Sequence, residues 1–548
     1  MQSSSAHGEI SDPDNSELPE FRIGRRVHSA GDSRRIGTVK YVGPVQGYSG
    51  KWVGVDWDNG DGKHDGSLNG VRYFQAASHK SASFVRPHNL STGITLLQAL
   101  EIRYQTTSSK EEEDEMYVLS ASNRRVPVEL LGKNKILDKL SRPEELTSAS
   151  VPYLGVSSAG PPCQISATVP NLQELDLTGN LLSEWEEVGA ICEALPPLAT
   201  LNLTNNFLVH DVVGLPQLKN VRILVLNNTC INWMQIETLK HSLPVIEELH
   251  LMGNKLEAIT PSSSVTVQGF DSLRLLNLDG NCITDWNEIL KLSQLRSLEQ
   301  LYLNKNSLKS IWYPDSDKVH EQINHCESVD NCRPFQNLHC LLLGGNNIED
   351  VASVDSLNYF PSLTDVRLYG NPITDPGKGG IPRFVLIACL AKVVMLNGSE
   401  VNPRERKDSE IRFVRLVMSK LHDHTQEILQ LYPRFLELKK FHGIEDERPS
   451  IGGPGFQKMA SGLISITLKC VGASFGEKPP MTKKLPATTT VGKLKILCET
   501  FFKLKSVKPK LFLQEEGSPL PTLLDDDMAS LIELGVGNES TIHVDEES

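Results

Sequence analysis

One eleven-residue template recurs eight times between Leu172 and Ile373, and it constrains the fold of this 548-residue chain more than any other feature. Its copies are LQELDLTGNLL from Leu172, LATLNLTNNFL from Leu198, VRILVLNNTCI from Val221, IEELHLMGNKL from Ile246, LRLLNLDGNCI from Leu273, LEQLYLNKNSL from Leu298, LHCLLLGGNNI from Leu338 and LTDVRLYGNPI from Leu363. Alternate apolar residues at the centre of each copy point one face of a short strand inward. The asparagine that follows can hydrogen-bond backbone groups where the chain turns out of the strand. A single copy cannot bury its own apolar face, but stacked copies bury a continuous ladder. Starts lie 23 to 27 residues apart, except for a 40-residue step between Leu298 and Leu338. The extra length, around YPDSDKVHEQINHCESVDNCRP, is expected to project as a loop. Thr229 stands where the third copy should have asparagine, so an altered turn is expected there.

These copies match the leucine-rich repeat pattern L-x-x-L-x-L-x-x-N-x-L. The implied architecture is an α/β solenoid over residues 146–400, including a C-terminal cap built from IPRFVLIACLAKVVMLNGSEVNPRERKDSEIRFVRL, because a bare terminal repeat would expose its core. Leucines and aromatics at three- and four-residue spacing predict a long helix over Asp408–Phe441, within a helical segment 401–442. GIEDERPSIGGPGF reads as a linker within 443–461.

Length implies several domains. Residues 1–20 are polar, Ser-rich and acidic, expected to be a disordered arm and lacking the basic and apolar regions of a signal peptide. No apolar run approaches a membrane span. The ten cysteines are scattered through apolar segments, which fits buried free thiols in a reducing cytosol. Net charge is −13, yet Phe21–Thr92 holds eleven Lys/Arg against five Asp/Glu, so this short unit carries +6 and leaves −19 for the remainder. A basic module in an acidic chain suggests an acidic partner for that module, while the overall acidity argues against general nucleic-acid binding.

Residues 21–92 are glycine-rich with the short apolar runs IGTVKYVG, KWVGVDW and SFVRP, the pattern of a small all-β barrel. Residues 93–145 are expected to be a helical, charged linker and the entry to the solenoid, with the run KEEEDE as solvated linker. Within the barrel, DWDNGDGKHDGSLNGVRYF invites two ion-binding readings, and both fail. A phosphate loop needs glycine where Trp57 stands and a hydroxyl where His64 stands; a calcium loop begun at Asp61 meets Lys63 at a ligand position and Arg72 at its closing one. GKHDG, Gly62 to Gly66, instead resembles the GKNDG signature of CAP-Gly domains, flanked in order by YSGKWVGVDWD, GVRYF and SFVRP. His64 departs from the family's usual asparagine. The resemblance implies binding to the extreme C-terminus of an acidic tail ending Glu-Glu-Tyr or Glu-Glu-Phe, chiefly that of α-tubulin. Gly62, Lys63, His64, Asp65 and Gly66 would form the carboxylate-binding loop, with Trp52, Trp57 and Phe74 as the apolar wall. The chemistry suits the task, since glycines let a loop approach a peptide backbone and lysine offers a charge to a carboxylate.

From residue 462 to 548 the order of LISITLKCV, MTKKLPATTT, VGKLKILCETFFKL, LFLQEE and STIHVDE is β-β-α-β-β, which resembles an α+β ubiquitin-like β-grasp domain. The ending Glu546-Glu547-Ser548 replaces the Gly-Gly that conjugation would need, so a binding module is expected. The three modules in this order are similar to the tubulin-folding cofactor family. That likeness implies a cytoplasmic, cytoskeleton-associated chaperone that binds α-tubulin and, with other tubulin-folding cofactors, assembles or dismantles the α/β heterodimer. The ubiquitin-like module would engage a second cofactor or a proteasome or ubiquitin-pathway receptor. The alternative is an adaptor that binds tails on polymer and recruits cargo through its repeats. Outward strand positions Glu174, Asp176, Glu247, His250, Arg274, Glu299, Tyr302, Asp365 and Arg367 are candidates for a second contact, because alternate strand residues share a face. No enzyme, cofactor, metal, nucleic-acid or membrane role is expected. The nearest approach to a metal cluster, His320, His325, Cys326, Cys332, His339 and Cys340, lacks paired ligand spacing, and no catalytic fingerprint appears.

Overall fold

A computed structural model describes residues 21–104, 117–119, 125–127, 142–208, 211–212, 218–259, 266–314, 333–420, 429–444, 463–471, 478–504, 508–514, 521–524, 527–531 and 534–546. The chain divides into two compact units, residues 1–256 with 269–275, and 257–268 with 276–548, so the division falls inside the repeat array.

The first unit begins with the CAP-Gly barrel. Its strands are β1 (Arg26–Ser29), β2 (Asp32–Val45), β3 (Tyr48–Trp57), β4 (Ser67–Leu68), β5 (Val71–Arg72), β6 (Ala82–Val85) and β7 (Leu90–Ser91). The main sheet runs β6-β3-β2-β1-β7 and every pairing in it is antiparallel. Two small cores fill it. One gathers Phe21, Val27, Val39, Val53, Val55, Trp57 and Leu90; the other gathers Phe74, Ala76 and Ala82 with Tyr41, Tyr73 and Phe84 packed against them. The β4–β5 hairpin turns at Asn69 and Gly70, both with positive φ, as a two-residue hairpin requires.

Residues 94–104 begin the segment expected as a helical linker and entry to the solenoid, and they are packed. Strand β8 (Ile94–Thr95) pairs in parallel with Val156–Ser158, and helix α1 (Leu96–Tyr104) buries Leu96, Ala99 and Leu100, an apolar stripe at three- and four-residue spacing. The rest of that segment, including KEEEDE, lies outside the described residues, as does the arm 1–20.

Every template copy forms a three-residue strand, and a further strand, Ser148–Ser150, precedes them and pairs with Glu174–Asp176. Pairing is parallel and in register from Ser148–Ser150 to Glu248–His250 in the first unit, and from Gln300–Tyr302 to Met395–Leu396 in the second. The first, fourth and sixth template positions are never more than 2% exposed in any copy, so each contributes about 2 kcal/mol of burial. The residue before the template asparagine is left-handed in all eight copies, with φ between 54° and 73°. Five are glycines, but Asn205, Asn228 and Lys305 hold the same conformation. The stacked turn thus imposes a backbone that glycine merely makes easier.

Within each unit, template asparagines then tie one repeat to the next. Asn206 donates to the carbonyls of Leu203 in its own repeat and Leu177 in the preceding one, and its Oδ1 accepts from Leu182 N–H. Thr229 keeps the first of these bonds, donating to Leu226 O at 2.9 Å, and has too short a side chain for the second. The altered turn expected there is confined to this missing link and to a left-handed Cys230. Residues 315–332 of the projecting insertion lie outside the described residues.

The cap sits in the second unit. Helix Arg383–Cys389 buries Phe384 through Cys389, and the Arg406 guanidinium donates to the carbonyls of Ile387, Leu390 and Val393, satisfying backbone that no further repeat would pair. The long helix predicted over Asp408–Phe441 is interrupted among the described residues, which are also helical at 429–431 and leave out 421–428. One helix runs Pro403–Lys420, with Asn402 accepting from Glu405 N–H at its start; another runs Phe435–Phe441 after a break at Tyr432–Arg434, where Pro433 can supply no helical N–H. Residues 445–462 of the expected linker lie outside the described residues. The ubiquitin-like fold follows, with strands Leu463–Cys470, Met481–Pro486, Pro509–Gln514, Thr522–Leu524 and Thr541–Glu546 around helix Val491–Phe502. Thr522–Leu524 is an extra edge strand beyond the predicted β-β-α-β-β order, and Leu463–Cys470 pairs in parallel with Thr541–Glu546.

Candidate functional site

The GKHDG loop leaves β3 at Trp57 and is pinned to β6 from beneath. Lys63 N–H and His64 N–H both donate to Ala82 O, and Ala82 N–H returns a bond to His64 O. A Cβ at Gly62 would lie 2.3 Å from the Ser81 carbonyl carbon, and one at Gly66 would lie 2.1 Å from Phe74 O at a φ of +93°. Both glycines are therefore required by close backbone approach. Asp65 is spent on the loop itself. Its carboxylate accepts from Ser67 N–H and pairs with Arg72, and these bonds, the arginine's first, hold its pKa down to about 2. Lys63 is exposed and forms no ion pair among the described residues, so its ammonium is available to an incoming anion.

His64 is fixed by two contacts. Its Nδ1 accepts from Gly66 N–H at 3.1 Å, which leaves Nε2 carrying the proton of the neutral ring, and its face stacks on Phe84 at 4.9 Å. Partial burial and the neighbouring Lys63 charge lower its pKa from the ordinary value, with Asp65 opposing. A carboxylate bound at Nε2 would raise that pKa, so the added affinity is fully present below the free-state pKa and lost as pH rises through the bound-state one. We therefore expect affinity for an acidic C-terminal peptide, followed from about pH 8 to about pH 5, to rise as pH falls through the bound-state value and to stop rising below the free-state one, which burial holds under the ordinary 6.5. The His64→Asn variant should be level throughout; titrating a fluorescent peptide across that range checks both.

The predicted wall divides. Phe74 joins the loop's aromatic cluster, its ring 5.7 Å from Phe84. Trp57 is 2% exposed in the other core, with Arg35 over its ring at 4.4 Å. Trp52 stacks instead with Arg86, 3.8 Å from its ring centre, and meets Tyr48 edge-on. What stands beside His64 is Phe84 with Tyr41 and Tyr73, at 6.0 and 5.1 Å, and all three are only partly buried. Gly54 lies opposite Tyr41 on one neighbouring strand and Phe84 on the other, and a Cβ there would strike Phe74 at 2.4 Å. This missing side chain lets the rings converge. The sequence signal was present, since an isolated glycine inside the KWVGVDW strand marks a close approach, but its partners depend on strand register.

Of the repeat candidates in the first unit, Glu174, Asp176 and His250 flank buried strand leucines as expected. Asp176 is engaged by Ser150 and Thr178, and His250 lies 3.4 Å from Glu248. Glu247 and Arg274 lie one residue ahead of their strands, and Glu247 pairs with Arg222. In the second unit Tyr302, Asp365 and Arg367 occupy outward strand positions, whereas Glu299 again precedes its strand. Outward residues passed over include Glu248 and Gln300, missed because the template begins before the strand does, and Thr200, Asn202 and Asn277, which carry no charge.

No group of three or more His, Cys, Asp or Glu able to hold a metal occurs among the described residues; His320, His325, Cys326 and Cys332 lie outside them. Burial pushes the Cys192, Cys340, Cys389 and Cys498 thiols up to about 12, with Asp365 reinforcing it at Cys340, so none of these supplies a thiolate at neutral pH.

The CAP-Gly domain family matches residues 23–90. The whole chain is similar to the tubulin-folding cofactor E of Arabidopsis thaliana, 65% identical over 530 residues that cover 96% of this chain and 98% of that protein. It is 31% identical to the tubulin-specific chaperone E of Danio rerio over 510 residues, 89% of this chain and 92% of that one. Among solved structures it is similar to the C-terminal ubiquitin-like domain of mouse tubulin-specific chaperone e, at 23% identity over 17% of this chain and 96% of that chain, with a TM-score of 0.15.

Proposed function

This chain belongs to the tubulin-folding cofactor E family, and from that premise we propose that it is a cytoplasmic, cytoskeleton-associated, non-enzymatic chaperone that captures α-tubulin by its acidic C-terminal tail. The observation that carries the reading is the pairing of an exposed Lys63 ammonium and a His64 Nε2–H with a partly open Phe84–Tyr41–Tyr73 cluster. A carboxylate meets the first two groups and a terminal aromatic ring meets the third, as a chain end of Glu-Glu-Tyr or Glu-Glu-Phe would require. The surrounding basic module favours an acidic tail over other chain ends.

Outward strand residues, Glu174, His250 and Glu248 among them, would contact the folded body of the same tubulin. Two linked contacts raise effective concentration without either being tight. Such a grip suits assembly or disassembly of the α/β heterodimer together with other cofactors. The ubiquitin-like module would recruit one of those cofactors or a proteasome or ubiquitin-pathway receptor.

Mixing the full chain with tubulin tests the proposal. A complex with free dimer, or loss of polymer mass from pre-formed filaments, is the expected outcome. Co-sedimentation with filaments at unchanged polymer mass would mean an adaptor and would overturn it.

A further inference from the structure

The root of the tail-binding loop is held by a repeat residue. Arg26, in β1, is 2% exposed although it is charged. Its guanidinium donates to Thr38 Oγ1 at 2.8 Å and grips both carboxylate oxygens of Asp58, the first residue after β3. Its Nε is buried without an acceptor among the described residues, and its guanidinium carbon lies 4.8 Å from the centre of the Phe207 ring. Phe207 belongs to the second template copy, immediately after the turn asparagine Asn206. From Asp58 the chain reaches Lys63 in five residues, through Asp61, whose carbonyl accepts from Arg35.

The barrel is seated firmly enough for such a contact to matter. The Arg34 guanidinium lies 5.5 Å from the Tyr153 ring centre, and Tyr153, left-handed at φ 55°, accepts from Asn205 Nδ2. A Cβ on Gly155 would meet the His28 ring at 2.7 Å, and one on Gly93 would meet Gly155 O and Ser157 Oγ at 2.5 Å. The strands around Ile94 and Val156 close the same junction by backbone pairing.

We propose that Phe207 is a positioning residue for tail recognition: through Arg26 and Asp58 it orders the loop that presents Lys63 and His64, though it lies outside the groove. An arginine excluded from water is stabilised by an aromatic face more strongly than an exposed one. With the ring removed, the buried Arg26 guanidinium gains water in place of part of its grip on the exposed Asp58, and the loop root loosens. The inference rests on the tail-binding reading for its consequence, but the ordering of the loop can be read without any ligand.

The test uses the full chain with Phe207→Leu, which keeps apolar volume but removes the ring face, and Phe207→Tyr, which keeps the face. Amide hydrogen exchange over residues 58–66 and affinity for a fluorescent peptide ending Glu-Glu-Tyr are measured for each. Phe207→Leu should exchange at least about threefold faster in that segment and bind about fivefold more weakly, while Phe207→Tyr stays within about twofold of the parent in both. Unchanged exchange in Phe207→Leu would overturn the inference. So would faster exchange that extends equally through the strands at 174–176 and 200–202, a plain loss of repeat stability, or faster exchange with unchanged affinity. If the parent itself fails to bind the peptide, the tail reading falls, and the exchange data decide the ordering role alone.

Discussion

Lys63→Glu should reduce binding of a peptide ending Glu-Glu-Tyr by roughly 30- to 150-fold, about 2–3 kcal/mol, without shifting the melting temperature. The two halves of that expectation have separate causes. Lys63 is exposed and unpaired among the described residues, and the bond that holds the loop in place comes from its backbone N–H, so the side chain contributes nothing to the barrel's stability. In the complex the same ammonium would face a free carboxylate and the acidic residues before it, and reversal replaces attraction with repulsion at every one of those charges. An exposed pair alone would be worth less, about 1 kcal/mol or below; the larger figure reflects the sign change together with a carboxylate partly shielded by the aromatic cluster. Fluorescence anisotropy at fixed, low salt is the measurement, with scanning calorimetry on the same sample. Affinity unchanged within a factor of two would remove the tail-capture proposal, and a lower melting temperature would mean that the loss came from misfolding.

Asn180→Leu should cost about 4 kcal/mol in the unfolding free energy of the cooperative unit that contains the first repeats. Asn180 is 0% exposed; its Oδ1 accepts from Val156 N–H at 2.8 Å, and its Nδ2 donates to Val151 O at 3.0 Å and Leu177 O at 2.9 Å. Leucine is of similar size and strips away these bonds, together with a longer one from Nδ2 to Thr178 O at 3.5 Å. Leu177 O keeps a bond from Asn206, but Val156 N–H and Val151 O lose these partners away from water, at about 1–3 kcal/mol each. Asn171→Ala is the matched control. That side chain is exposed and makes one bond, to Glu144 O, so less than about 1 kcal/mol is expected. Urea titration of both variants, followed by circular dichroism, separates a buried ladder from a general preference for asparagine. Equal losses in the two would argue that the ladder bonds add no net stability.

The ladder was legible in the sequence because its signal is local and repeated. Apolar positions at fixed spacing place three leucine-like residues inward in every copy, whatever the rest of the chain does. GKHDG was legible for a related reason, since glycines at 62 and 66 are demanded by backbone contacts that only a side-chain-free residue survives. The aromatic wall was harder to read. Trp52, Trp57, Phe74 and Phe84 lie in one stretch of chain, and composition ranks tryptophan first, yet strand register sends Trp57 into one core and brings Phe84 beside His64. A shift of one residue would exchange those faces. The same limit explains Glu247, Arg274 and Glu299, which share the template with true strand residues but start one position too early.

By itself the sequence determined the repeat solenoid, the β-grasp module, and a basic, glycine-bent loop suited to an acidic chain end. Each of these rests on periodicity or backbone freedom within a few residues. Tertiary structure alone decided that Tyr41, Tyr73 and Phe84 gather over Gly54, that His64 presents its Nε2, and that Arg26 reaches a repeat's Phe207. Those arrangements join residues as far apart as 26 and 207, and no local pattern carries information about a pairing that exists only once the strands have found their register.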